Sequence, residues 1–165
     1  MELTDFDCSS FIAILEEELV PALGCTEPIS IAYAGAHARA LLGKIPEKVC
    51  IKSSGNIIKN VKSVIVPNSG NMKGIPAAAA IGIIGGNPDK GLEVLADITE
   101  DDIQQTKDFL ARVPCTVSLL DSVASLHFIV EVFAGNDSAS VEIIHQHTNI
   151  VHTTKNGKDI LSVPF

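Results

Sequence analysis

The chain has 165 residues, 46% of them hydrophobic, and a formal net charge of −8. So much apolar content excludes a disordered chain and suffices for one good core or two small ones. The acidic balance excludes a nucleic-acid backbone as partner, because the basic surface needed for phosphate contacts is missing.

Taken in chain order, Glu2, Asp5 and Asp7 stand where a secretory signal would carry a basic and then an apolar segment, so none is expected. Phe11, Ile12, Ile14, Leu15 and Leu19 put an apolar stripe on a helix ending near Pro21. A second helix is predicted over residues 29–42. Pro28 suits its first turn, where a missing N–H costs nothing, and Gly43 suits its C-terminal cap. Thr26 or Glu27 is the expected N-cap. Alternate alanines from Ala32 to Ala40, with Gly35 between them, keep this helix thin and suited to a central, closely packed position. Residues 48–53 and 61–66 are rich in Val and Ile and read as strands. Residues 68–74 form a loop that feeds a small-residue helix starting at Pro76.

Beyond Pro88 the pattern changes. Residues 88–96 and 100–112 read as amphipathic helices through Leu92 and Leu95, then Ile103, Phe109 and Leu110. Residues 115–120, 127–134, 140–145, 150–154 and 160–163 read as strands, with Asn156-Gly157 as a hairpin turn before the last. The expected fold is α+β: a helix-rich part over 1–87 with a short strand pair, then a small two-helix antiparallel-sheet sandwich over 88–165. The turn chemistry of Gly85-Gly86-Asn87-Pro88 marks the boundary. The longest strongly apolar stretch, residues 75–86, is too short to span a bilayer, so no membrane association is expected. Cys8, Cys25, Cys50 and Cys115 form no Cys-x-x-Cys pair. That spacing indicates neither a zinc knuckle nor a disulfide framework, and it suits reduced thiols in the cytoplasm.

Three constellations could carry chemistry. In Gly24-Cys25-Thr26-Glu27-Pro28 a thiol stands where a helix begins, and the positive end of the macrodipole there favours a thiolate. Such a thiolate can act as base, nucleophile or metal ligand. By position alone a small buried hydrophobe is the commoner role of a free cysteine. The second constellation joins residues 54–60 to the loop 69–74, where free backbone N–H groups and Lys73 could hold a carboxylate or phosphate. An ordinary strand-to-helix loop is the plain alternative, and no Gly-Lys-Ser/Thr ending makes it a P-loop. The third is His145-x-His147, whose imidazoles would share a strand face and could meet one metal ion. Surface histidines are the commoner reading of that pair.

The motifs also occur together in a telling order: Pro21-Ala22-Leu23-Gly24-Cys25-Thr26-Glu27-Pro28, residues 74–82, Gly85-Gly86-Asn87, and His147-Thr148-Asn149-Ile150-Val151. Over nearly its whole length the chain resembles the N-terminal part of the L-cysteine desulfidase family. That family is also catalogued as an uncharacterised YhaM-like family and is related to the iron–sulfur L-serine dehydratases. The resemblance implies an oxygen-sensitive lyase that eliminates sulfide from L-cysteine, leaving pyruvate and ammonia after hydrolysis. It also implies a 4Fe-4S cluster, held by three cysteines, with one iron open to the leaving sulfur. Cys25 then takes the role of base, with Glu27 beside it, and the functional reading of Cys25 overtakes the plain one. A lowered thiol pKa at the helix terminus would serve that role. We further assign substrate contacts to Thr26, Asn56, Asn60, Lys73 and Gly74, with His147 and Asn149 closing the site.

Members of that family run to well over twice this length, and their cluster cysteines lie in the C-terminal half. Cys8, Cys50 and Cys115 lack ligand spacing, so no metal ligands are assigned here. The expectation is therefore a truncated piece, a shortened gene product or one subunit of a split enzyme, inactive alone. L-cysteine is the expected ligand, with L-serine as the alternative. The missing C-terminal half or a partner subunit would complete the site, and exposed apolar surface favours a homo-oligomer. Two other readings stay open: an inactive remnant that keeps an amino-acid-binding pocket, and a metal-binding protein using His145 and His147.

Overall fold

A computed structural model describes residues 5–19 and 21–164. The helices are α1 (Asp5–Glu18), α2 (Thr26–Leu42), α3 (Gly55–Val61), α4 (Gly74–Gly85) and α5 (Glu100–Arg112). The strands are β1 (Lys48–Ser53), β2 (Cys115–Leu119), β3 (His127–Ala134), β4 (Asp137–Ile144), β5 (Ile150–Lys155) and β6 (Lys158–Ser162). The protein is α+β, as its alternation of patterns predicts. All six strands join one mixed sheet in the order β2-β1-β3-β4-β5-β6. Only the β1–β2 pair is parallel.

Alternation decides the sheet's faces. Val49 and Ile51 of β1, Phe128, Val130 and Val132 of β3, and Ala139, Val141 and Ile143 of β4 are all buried. Their neighbours Lys48 and Lys52 are exposed, so the helices cover one face only. The covering helix is α2, which contacts β3, β4 and β5 and packs along its other side against α4. Its alanines make this double contact feasible: Ala32, Ala34, Ala36 and Ala38 are fully buried. A Cβ added at Gly82 of α4 would lie 2.0 Å from the Ala32 carbonyl oxygen, and one at Gly35 would lie 2.7 Å from that of Ala79. Only glycine permits backbones this close.

Three local expectations are corrected. Residues 61–66 are not a strand. Ile57 and Val61 bury at helical spacing and close α3, while Ile65 makes an isolated bridge to Lys73. The strand pair expected before residue 87 is therefore absent among the described residues. β1 pairs instead with β2 and β3, and the sheet runs across residue 87. Residues 88–96 form a 3-10 turn over Pro88–Glu93, because Gly91 takes a left-handed φ of 53° that no α-helix accommodates. Consequently the sheet is not roofed by two late helices: α5, which follows its expected bounds, packs on α4 and buries mainly Phe109 and Thr106. Its start is fixed by a capping box between Thr99 and Asp102. On α1 the apolar stripe is uncovered, with Phe11, Ile12, Ile14 and Leu15 each more than half exposed.

Candidate functional site

Cys25 itself, not Thr26 or Glu27, caps α2. Glu27 lies two residues into the helix, and the Cys25 Sγ–H donates to its Oε2 at 3.3 Å. Partial desolvation, followed by the hydrogen bond and the negative charge of Glu27, pushes the Cys25 thiol above its ordinary pKa. The expected lowering is thus corrected: the carboxylate next door opposes the favourable helix terminus. At rest the pair is a thiol donating to a carboxylate.

Two loops flank this helix start. Gly24 abuts Pro67, since a Cβ there would lie 3.1 Å from the Pro67 Cγ. That contact brings the motif against the loop 68–74. On the other side Ser30, one turn into α2 and fully buried, donates its hydroxyl to the His147 carbonyl. The connection between β4 and β5 is thereby tied to the motif helix. Between them lies a cavity of about 500 Å3 lined by Thr26, His147, Glu17, Gln146 and Leu92 among others. This size suits a small molecule. His145, on its rim, has a φ of 69°, a left-handed conformation that costs a non-glycine residue about 1 kcal/mol or more.

The structure brings together Cys25 with Glu27, and Thr26 with His147. It treats the remaining candidates differently. Asn149 spends its side-chain amide on the Ile144 carbonyl, 2.9 Å away, and so closes the β4–β5 turn. Gly74 has a φ of 88° and donates its N–H to the Val64 carbonyl, which gives it a backbone role at the start of α4. Asn56 and Asn60 sit exposed on α3, and Lys73 is the exposed N-cap of α4. No hydrogen bond among the described residues links these three to Cys25. Sequence reasoning passed over Ser30, although a serine amid buried alanines was a visible signal.

A 4Fe-4S cluster requires three converging thiolates. Cys8 lies on α1, Cys25 at the start of α2, and Cys50 and Cys115 on adjacent strands. Burial, with Cys50 nearby, pushes the Cys115 thiol up to about 11. Among the described residues no three His, Cys, Asp or Glu side chains gather around a common point, His145 and His147 included. The residues present do not fit the cluster.

The chain is similar to proteins named UPF0597 protein. It is 53% identical over its full length to one from Treponema denticola, covering 38% of that protein. It is 50% identical over 88% of its length to one from Lachnoclostridium phytofermentans, covering 35%. To one from Desulfitobacterium hafniense it is 47% identical over 97% of its length, covering 37%. The chain thus spans little more than a third of the length of the curated relatives it matches. Their shared name states no activity, cofactor or partner. No family model matches the chain. No solved structure matches it significantly.

Proposed function

We propose that this chain is the N-terminal, substrate- and proton-handling portion of a carbon–sulfur lyase of the L-cysteine desulfidase type. The observation that carries this reading is the Cys25–Glu27 pair at the start of α2, one residue from the cavity shared by Thr26 and His147. The motif resemblance over nearly the whole chain supports it.

Elimination from L-cysteine removes the α-proton, breaks the C–S bond and leaves an aminoacrylate that hydrolyses to pyruvate and ammonia. A resting thiol cannot take the first proton. Cys25 therefore acts as base only after giving up its own proton, for which the Glu27 carboxylate at 3.3 Å is the adjacent acceptor, although its charge opposes the thiolate at rest. Thr26 and His147 face the same cavity and would orient the substrate. Assistance to the departing sulfide must come from outside the described residues, since their cysteines do not converge.

The completing polypeptide is the remainder carried by the longer relatives, as a C-terminal half or a partner subunit. L-cysteine is the proposed substrate, with L-serine its rival, and homo-oligomerisation would cover the apolar stripe of α1. No helix among the described residues is long and apolar enough to cross a membrane. All four cysteines are free, in keeping with a cytoplasmic location.

The test is anaerobic sulfide release from L-cysteine by the complete Treponema denticola relative and by this chain supplied with the rest of that protein. The reading expects sulfide from both. It expects about a hundredfold loss or more when Cys25 is replaced by Ser. No sulfide from cysteine and no pyruvate from serine in either preparation would sink it. Amino-acid binding without turnover would leave an amino-acid-binding module in its place.

A further inference from the structure

The sheet face opposite α2 carries a row of linked side chains that the lyase reading does not use. Because Phe128, Val130 and Val132 point inward, the preceding alternate residue of β3, His127, points outward. It is nonetheless only 8% exposed. Its Nε2 lies 2.7 Å from Glu142 Oε1 on β4, and its Nδ1 lies 2.8 Å from Ser122 Oγ in the loop before β3. The other Glu142 oxygen lies 3.5 Å from His152 Nδ1 on β5, and His152 Nε2 lies 2.9 Å from Asp159 Oδ1 on β6. Glu142 is therefore hydrogen-bonded through one oxygen and faces His152 with the other. At the far end Ser122 and His127 line a cavity of about 550 Å3 with Asp121, Val123, Ile144 and His145.

Hydroxyl, imidazole and carboxylate in sequential hydrogen-bond contact form the arrangement that makes a serine nucleophilic. In the tautomer whose Nε2–H donates to Glu142, Nδ1 accepts the Ser122 hydroxyl proton. The Ala124 N–H donates to Ser122 Oγ at 3.1 Å and stabilises negative charge gathering there. A serine that merely closed the 122–124 turn would need that backbone contact alone. The buried imidazole and the partly buried carboxylate behind it are superfluous to a turn, and their desolvation is costly.

We propose that Ser122, His127 and Glu142 form a second reactive site, which accepts an acyl group from a small, uncharged activated ester. The volume lies within the range of small-molecule sites, and Asp121 on the wall disfavours anionic substrates. Ser122 Oγ attacks the carbonyl carbon while its proton passes to His127 Nδ1. The C–O bond to the leaving alcohol breaks, and His127 returns the proton to that oxygen. Water, deprotonated by His127, then releases the acid and restores Ser122. Glu142 acts as a positioning residue that fixes the imidazole tautomer.

An alkyl fluorophosphonate applied to the intact chain, followed by peptide mass spectrometry, tests this site. The expected result is a phosphonyl adduct on Ser122 that is absent from Ser122→Ala. Labelling should slow about tenfold or more in Glu142→Gln, a change that leaves the side chain's shape in place. With p-nitrophenyl acetate, a burst of nitrophenol should accompany an acetyl mass on Ser122. No adduct on Ser122 in a chain whose circular dichroism and melting are those of the folded protein overturns the proposal. Labelling at equal rates in the native chain, Glu142→Gln and the urea-unfolded chain does the same.

Discussion

Gly82 of α4 meets Ala32 of α2 so closely that a β-carbon at Gly82 would stand 2.0 Å from the Ala32 carbonyl oxygen. No side-chain rotation relieves a clash with backbone, so Gly82→Ala must push the two helices apart. The expected cost is about 3 kcal/mol or more, the upper end for overpacked cores. Gly55→Ala is the control, since its β-carbon would make only an ordinary 3.7 Å contact with Leu119. Urea unfolding of both variants checks the contrast.

The Cys25 thiol is held above its ordinary pKa by desolvation and then by Glu27. Replacing Glu27 by Gln removes the negative charge and so lowers that pKa. At pH 8 iodoacetamide should alkylate Cys25 faster in Glu27→Gln than in the parent chain. The gain is about tenfold for each unit of pKa regained, less whatever nucleophilicity the more acidic thiolate gives up. Peptide-resolved alkylation kinetics supply the measurement, and a slower rate in the variant would contradict the assignment.

Ser30 is fully buried and donates to the His147 carbonyl. Ser30→Ala leaves that carbonyl without its donor, at an expected cost of about 1–3 kcal/mol. Because the bond is what ties residues 145–148 to α2, hydrogen exchange should quicken in the β4–β5 connection more than in β3. Uniform quickening across the sheet would argue against such a local tether.

His37 is packed edge-on against Tyr33 with its Nε2 buried and unpartnered among the described residues, and burial depresses its pKa. The unfolded chain therefore binds a proton at this site more readily than the folded one. Stability conferred by the neutral ring is present above the ordinary imidazole pKa of about 6.5 and declines as pH falls below it. His37→Phe should flatten the dependence of stability on pH between 7 and 5. Denaturant midpoints at several pH values give the comparison.

Local pattern was legible wherever one period dominated. Residues 100–112 and 127–134 follow their expected bounds because a helical stripe persists over the 13 residues of one and a β run over the 8 residues of the other. Residues 61–66 misled because a short Val- and Ile-rich run has no period of its own, and Val61 was already committed to α3. The site was half visible. Cys25, Thr26 and Glu27 are consecutive, yet the direction of the thiol shift depends on where the Glu27 carboxylate points. His127, Glu142 and Ser122 come together through strand register and a loop path, neither of which spacing along the chain reveals.

The place of β1 bears on how the chain reaches its native state. This strand is made early but lies between β2 and β3, whose residues emerge only after α5. Until β2 exists, β1 has no partner on either edge, so the sheet can close only through contacts far apart in sequence. Such topology slows folding and keeps an unpaired Val- and Ile-bearing strand available for wrong pairings. During synthesis the helices of the first half must therefore wait for residues 115–134 before the sheet beneath them can form.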